Sequence, residues 1–171
     1  GWATMRAKKV YTGNSDGLAS GERPGLTELI KHLVYFSEGA LWNNGTFVNR
    51  PMRGSENLSV HATGRAVDLS YRKTPTKGKR NGRKMAEHIM DFLVRHNDEL
   101  GIEMILDYNP KPFGRGFKWT RGTWENYTKL TIHGAPGGDW LHIELSPLLS
   151  DSKVKVREAF LKLFPQDSKS K

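Results

Sequence analysis

The spacing of apolar residues changes along the chain, and the changes predict a mixture of helices and strands. Apolar residues recur at helical intervals in three segments: Leu26–Glu38, Met85–Leu100 and Ser152–Phe164. Strands are predicted in four other segments: Arg65–Tyr71, Ile102–Tyr108, Gly116–Trp119 and Trp140–Leu145. Because helices and strands do not alternate regularly, we predict an α+β domain with a small, mostly antiparallel sheet flanked by helices.

The segments between these elements are rich in glycine, proline and polar residues, which predicts irregular structure. Residues 1–25 form an irregular lead-in, and residues 40–60 predict loops with short strands. At 171 residues the chain has the size of one ordinary domain. We therefore expect a single, monomeric domain over residues 1–166 and a frayed tail at residues 167–171.

The composition excludes several classes of protein. The chain has no cysteine, which excludes a disulfide scaffold, a cysteine zinc finger, a thiol nucleophile and an iron–sulfur cluster. Its 27 basic and 18 acidic residues give a net charge of +9, which favours an anionic partner: nucleic acid, a membrane surface or an anionic wall polymer. No apolar run approaches the ~18 residues of a membrane span. The first residues, Gly1–Thr4, lack the pattern of a secretory signal.

Two short segments, Ser59–Asp68 and Gly137–Glu144, concentrate side chains that suit a hydrolytic zinc site. Such a site needs three His, Asp or Glu ligands and an open position for water, whose pKa the metal lowers to roughly 7. It also needs a carboxylate that takes the water's proton and delivers it to the leaving amine. A cation or another donor must stabilise the oxyanion.

The predicted elements can bring a ligand set together. His61 precedes the predicted strand that contains Asp68, and Gly64 lets the chain turn back between them, so both side chains could face one metal. His142, on a later predicted strand, would complete a set of two imidazoles and one carboxylate.

A second carboxylate, Asp139, lies three residues before His142. Positions three apart in a regular strand lie on opposite faces. We therefore expect Asp139 in a turn or bulge, which the preceding glycine pair, Gly137 and Gly138, makes plausible.

These two segments resemble the zinc D-Ala-D-Ala carboxypeptidase family. That family includes vancomycin-resistance dipeptidases, bacterial D,D- and L,D-carboxypeptidases, and phage endolysins that cut the L-alanyl–D-glutamate bond. Its mark is a Ser-x-His-x-x-Gly-x-Ala-x-Asp block followed by an acid three residues before a final His. The chain has the whole first block at Ser59–Asp68 and the second as Asp139-Trp140-Leu141-His142.

The resemblance implies that His61, Asp68 and His142 bind Zn²⁺ at the open face of the sheet and that Asp139 is the catalytic acid/base. It implies a zinc peptidase that cleaves peptidoglycan stem peptides at the bacterial cell wall. Aspartate in place of the glutamate of many members favours a phage-type endolysin. The alternative within the family is a D,D- or L,D-carboxypeptidase of wall remodelling.

The resemblance also implies a serine and an arginine near the substrate carboxylate or carbonyl oxygen. Ser59 fits the serine, although it could equally cap a turn. Arg53 is the first candidate for the arginine and Arg50 the second, because a planar guanidinium suits a carboxylate or oxyanion. His133 lies in the loop that leads to Asp139 and is a candidate for substrate contact.

Other residues near the motifs have weaker interpretations. Glu144 shares the strand face of His142 and either supports it or has a solvated or salt-bridged role. Trp140 is predicted to pack, and Arg65 to be structural. The segment Arg72–Lys84 carries seven cations and no acid. It is either a solvated loop or a site that attaches electrostatically to anionic wall polymers.

Two alternatives of other classes stay open at this point. Basic loops interleaved with aromatic residues also suit a nucleic-acid binder or a metal nuclease. No helix-turn-helix, RNA-recognition or finger pattern appears, and no nucleic acid is expected as partner. A catalytically silent relative that keeps its metal for stability is disfavoured, because a purely structural site has no use for Asp139.

Overall fold

The computed structural model describes residues 9–47, 59–72, 82–130 and 136–164. In these ranges five helices are α1 (Pro24–Phe36), α2 (Gly82–Arg95), α3 (Asn97–Leu100), α4 (Pro147–Ser150) and α5 (Lys153–Leu163). Six strands are β1 (Trp42–Gly45), β2 (Ala66–Ser70), β3 (Ile102–Asp107), β4 (Arg115–Lys118), β5 (Thr123–Asn126) and β6 (Trp140–Leu145). One 3-10 turn covers Val60–Thr63.

The six strands form one sheet in the order β1-β2-β6-β3-β4-β5, and every neighbouring pair is antiparallel. On the central strand β6, His142 lies opposite Asp68 of β2 on one side and opposite Leu106 of β3 on the other. Directly opposed residues share a face of the sheet, so these three side chains form one row. The α+β class and the small antiparallel sheet predicted from the sequence are confirmed.

One face of the sheet packs against the helices and forms the main core. Alternate strand residues such as Val67, Ile105 and Ile143 are fully buried there. They join apolar residues of α1, α2 and α5, among them Leu29 and Leu93. The first turn of α1 packs closely on α4, because a Cβ atom added at Gly25 would lie 1.7 Å from the carbonyl oxygen of Leu149.

The opposite face carries the row that contains His142. A smaller apolar cluster, Met104, Leu106 and Tyr108, lies on this face with Tyr11 and Trp140 packed against it. Tyr11 belongs to the lead-in, whose described part before α1 contains neither helix nor strand, as predicted. The lead-in therefore helps to cover the face of the sheet that the helices leave open.

Buried charges tie the lead-in to this face. The guanidinium of Arg65 is fully buried and donates to Asp16 at 3.0 Å, to the carbonyl oxygen of Leu145 at 2.7 Å and to that of Gly13. Arg65 is thus structural, as predicted. The backbone N–H and hydroxyl of Thr12 donate to the buried Glu103 carboxylate at 2.7 and 2.8 Å.

A second buried ion cluster lies at the end of β3. Asp107 is fully buried and accepts from Arg83 at 2.8 and 2.9 Å and from Arg115 at 2.9 Å. Burial by itself raises the pKa of Asp107, but the hydrogen bonds from the two arginines outweigh it and hold the pKa below its ordinary value.

The predicted element boundaries lie within two residues of the observed ones, except that α2 begins at Gly82 and not at Met85, so residues 82–84 are helical and not part of a loop. One predicted helix is also divided in two. The segment predicted as one helix, Met85–Leu100, is α2 followed by α3, because the backbone at His96 leaves helical geometry (φ −114°, ψ 28°). None of the helices in the described ranges is long and apolar enough to cross a bilayer.

Candidate metal centre

Two of the predicted ligands come from neighbouring strands. Asp68 lies in the middle of β2 and His142 in the middle of β6, and the two are direct cross-strand partners. The sheet register therefore sets their separation, and His142 Nδ1 lies 3.2 Å from Asp68 Oδ1. His142 is 6% exposed, so the pair is largely shielded from water.

The third ligand reaches the same point from the 3-10 turn before β2. Ser59 caps this turn, its Oγ accepting from the backbone N–H of His61 at 3.2 Å. Gly64 ends the turn in a left-handed conformation (φ 76°), which glycine adopts without a steric cost. Its Cα also lies against the backbone of the lead-in, since a Cβ atom there would be 2.7 Å from Gly21 O. The turn directs the His61 side chain back toward Asp68.

The orientation of His61 suits metal binding. Its Nδ1 lies 2.8 Å from the carbonyl oxygen of Thr46, and only a protonated nitrogen can donate to a carbonyl. In a neutral ring the lone pair is then on Nε2, which lies 3.4 Å from Asp68 Oδ2. Histidine ligands in metal sites are commonly fixed by such a hydrogen bond at the other ring nitrogen.

The three side chains together form a group that could hold a metal ion. One ligand atom from each of His61, Asp68 and His142 can be chosen so that all three lie within 4.8 Å of one another. Two imidazole nitrogens and one carboxylate oxygen are a donor set that suits zinc and neighbouring divalent transition metals. The predicted ligand set is thus brought together by the fold.

The electrostatics of the group reflect carboxylates on both sides of an imidazole. Burial lowers the pKa of His142, but hydrogen bonds to Asp68 and Glu144 outweigh it and raise the pKa above its ordinary value. Burial raises the pKa of Asp68, and the two histidines reverse that effect and hold the pKa well below its usual range. The ionised Asp68 carboxylate therefore places negative charge at the point where the two imidazoles meet.

Glu144 supports His142 from the other side of the ring. Its Oε2 lies 2.7 Å from His142 Nε2, and its Oε1 accepts from the phenol of Tyr11 at 2.6 Å. Glu144 is 1% exposed, so of the two interpretations of this residue the supporting one is correct and the solvated one is wrong.

Asp139 lies in a bend directly before β6, as predicted, and Gly137 adopts a positive φ of 75° just before it. Both Asp139 carboxylate oxygens accept from Arg72 Nε, at 3.1 and 3.2 Å. The Arg72 guanidinium lies 5.8 Å from the centre of the Trp140 ring. Asp139 lies three positions before His142, at most about 10 Å along an extended strand.

The predicted substrate-binding residues and the basic segment are described by the structure only in part. Ser59 is the cap of the His61 turn, and its predicted substrate contact stays a prediction. Arg50, Arg53 and His133 lie outside the described residues, as do residues 73–81 of the basic segment. Trp140 packs as predicted, with its ring centre 5.2 Å from that of Tyr108.

Three contributors to the site were missed in the sequence. Thr46 acts through its carbonyl oxygen, which every residue type has, so no sequence signal existed. Tyr11 lies 133 residues from Glu144 in a segment without periodicity. Arg72 was assigned to the basic segment. It lies four positions after Asp68, so if β2 continued for two more residues, both side chains would lie on the same face of the strand.

Comparisons of the chain with protein-family models, with curated proteins and with solved structures gave no match.

Proposed function

We propose that the chain is a zinc-dependent peptidase that cleaves peptide bonds in peptidoglycan stem peptides, with Asp139 as general acid/base. The observation that carries the proposal is the convergence of His61, Asp68 and His142 on one point, at the motif spacing of the family that the sequence resembles. Three protein ligands would leave a fourth coordination position for water, as hydrolytic zinc sites require.

The cation, when bound, supplies Lewis acidity and a water whose pKa is lowered to about 7. Asp139 then takes a proton from the attacking water as the water's oxygen bonds to the scissile carbonyl carbon. It returns that proton to the amide nitrogen as the carbon–nitrogen bond breaks, so the amine leaves neutral. The bend before β6 supports this role, because it frees Asp139 from strict strand alternation.

Arg72 supports the same step by holding the Asp139 carboxylate. Its side chain is 57% exposed, and an ion pair that exposed contributes only about 0–1 kcal/mol. A substrate carboxylate can therefore compete for the guanidinium at little cost. Stem peptides carry free carboxylates, which also suits the net charge of +9.

The proposal is tested by mass spectrometry of fragments released from purified peptidoglycan and from synthetic stem peptides. The zinc-loaded full chain is expected to release fragments, and the identity of the new termini distinguishes an endopeptidase from a carboxypeptidase. A chelator should abolish release, and added Zn²⁺ should restore it. Absence of fragments from every substrate with the zinc-loaded protein would refute the proposal.

Asp139→Asn tests the assigned role within that experiment. It should lower the rate by about 10²- to 10⁴-fold while zinc affinity stays at the wild-type level. Asp91→Asn makes the same chemical change at an exposed position of α2 and should keep the wild-type rate. An Asp139→Asn protein that turns over at the wild-type rate would exclude Asp139 as the acid/base.

A further inference from the structure

A buried chain of hydrogen bonds connects the lead-in to the candidate metal centre. The phenol of Tyr11 donates to Glu144 Oε1 at 2.6 Å, and Glu144 Oε2 lies 2.7 Å from His142 Nε2. Glu144 and His142 are 1% and 6% exposed, so water does not compete for these bonds. The chain ends at the ring whose other nitrogen faces Asp68.

We propose that Tyr11 and Glu144 are positioning residues that hold His142 in the orientation and tautomer needed to bind the cation. The inference rests on the proposed metal centre and deepens it. A neutral imidazole carries one N–H, and the Glu144 carboxylate can only accept a hydrogen bond. When His142 donates from Nε2 to Glu144, the lone pair at Nδ1 is left on the side of Asp68 and is available to a metal.

Tyr11 is held firmly enough to act on Glu144. Its hydroxyl lies 3.5 Å from the sulfur of Met104, and the ammonium of Lys118 lies 4.3 Å from the centre of its ring. The next residue, Thr12, is anchored to Glu103 through both its backbone N–H and its hydroxyl. Because these contacts hold the phenol in place, its hydrogen bond restricts the orientation of the Glu144 carboxylate. The carboxylate in turn restricts the rotation of the His142 ring.

The binding of Zn²⁺ by purified variants tests the proposal without any substrate. Glu144→Leu, which removes both hydrogen bonds, should raise the dissociation constant for Zn²⁺ by about 10- to 100-fold, as measured by competition with a chromophoric chelator. Glu144→Gln, which can still accept from Nε2, should recover most of the lost affinity. Tyr11→Phe should have a smaller effect than Glu144→Leu.

Two controls separate positioning from general stability. Tyr35→Phe removes the hydroxyl of an exposed tyrosine on α1, on the other side of the sheet's core, and should leave the dissociation constant unchanged. Adding Tyr11→Phe to Glu144→Leu should weaken binding no further, because Tyr11 acts through Glu144. The visible spectrum of the Co²⁺-substituted site should shift in Tyr11→Phe, which a merely structural role would not produce.

The outcomes separate this inference from the proposed function. Wild-type zinc affinity and an unchanged cobalt spectrum in Tyr11→Phe, together with wild-type affinity in any folded Glu144→Leu, would overturn it even if the enzyme cleaves peptidoglycan. Should Glu144→Leu fail to fold, as judged by circular dichroism of the metal-free protein, Tyr11→Phe decides the question. Weakened binding in the variants supports the inference even if no peptide is cleaved. A wild-type protein that binds neither Zn²⁺ nor Co²⁺ would overturn it together with the metal centre.

Discussion

Asp68→Ala is expected to abolish the stabilisation that a bound cation gives to the folded chain. The Asp68 carboxylate lies between the two imidazoles, 3.4 Å from His61 Nε2 and 3.2 Å from His142 Nδ1. Its removal leaves two ligands on separate elements with no group between them. Asp68 and His142 are 74 residues apart, so the unfolded chain does not keep the ligand set together and the cation binds the folded state selectively.

The size of the effect follows from that selectivity. At a free Zn²⁺ concentration 100 times the dissociation constant, a ligand that binds only the folded state stabilises it by about 2.7 kcal/mol. For a chain of this length, each kcal/mol moves the melting temperature by roughly 2–4 °C, so the wild-type protein should gain about 5–11 °C. Asp68→Ala should gain no more than about 1–2 °C at the same concentration.

Calorimetric melts of chelator-treated protein, with and without Zn²⁺, measure this shift. The shift between the two conditions is the relevant quantity, because Asp68→Ala also loses hydrogen bonds in the metal-free state. Asp91→Ala, at an exposed position of α2, serves as the matched control and should keep the full shift. A full shift in Asp68→Ala, or no shift in the wild type at millimolar Zn²⁺, would refute the reasoning.

Three further predictions concern the fold and the turn that carries His61. Gly25→Ala should lower the free energy of unfolding by about 3 kcal/mol in urea titrations, because its Cβ would meet backbone 1.7 Å away, whereas Gly21→Ala, with nothing within 4 Å, should change little. The pKa of Asp107 is held low by Arg83 and a second arginine, so its stabilisation is complete above the unfolded pKa of about 3.9 and is lost as pH falls through the folded value. Asp107→Asn should lower the free energy of unfolding by about 3–5 kcal/mol and flatten the fall in stability at acid pH; an equally steep fall would show that other carboxylates cause it. Ser59→Ala should lose about 1 kcal/mol of capping and bind zinc more weakly, while a raised KM with unchanged zinc affinity would instead assign Ser59 to substrate.

The sequence predicted those strands that are long and buried. The six-residue strands β3 and β6 are buried along nearly their whole length and were located within one residue of their ends. The four-residue edge strand β5, with the burial order exposed, intermediate, exposed, exposed, has no such run of buried residues and was not predicted. The four-residue helix α4 was missed for a related reason, since a single turn buries too few residues to repeat.

The candidate metal centre was predictable to the extent that it depends on residue types at fixed spacing. The ligands and the bend at Asp139 followed from the motif and from strand alternation. The groups that orient the ligands did not, because they act across long separations in sequence or through the backbone. Tyr11 contacts Glu144 across 133 residues of sequence, and Thr46 contributes a backbone carbonyl oxygen, which does not depend on its residue type.

The course of the lead-in bears on where this chain can be shortened. A truncation at the start of α1 would keep every helix and strand of the described ranges yet delete the counterion Asp16 and the donors from Tyr11 and Thr12. The side chains left behind, Arg65, Glu103 and Glu144, are each at most 1% exposed. A buried charge that loses its partner typically costs about 3–5 kcal/mol, and several such losses exceed the marginal stability of an average domain. A shortened form that begins at Pro24 should therefore be recovered unfolded or aggregated, although its secondary structure elements are all encoded.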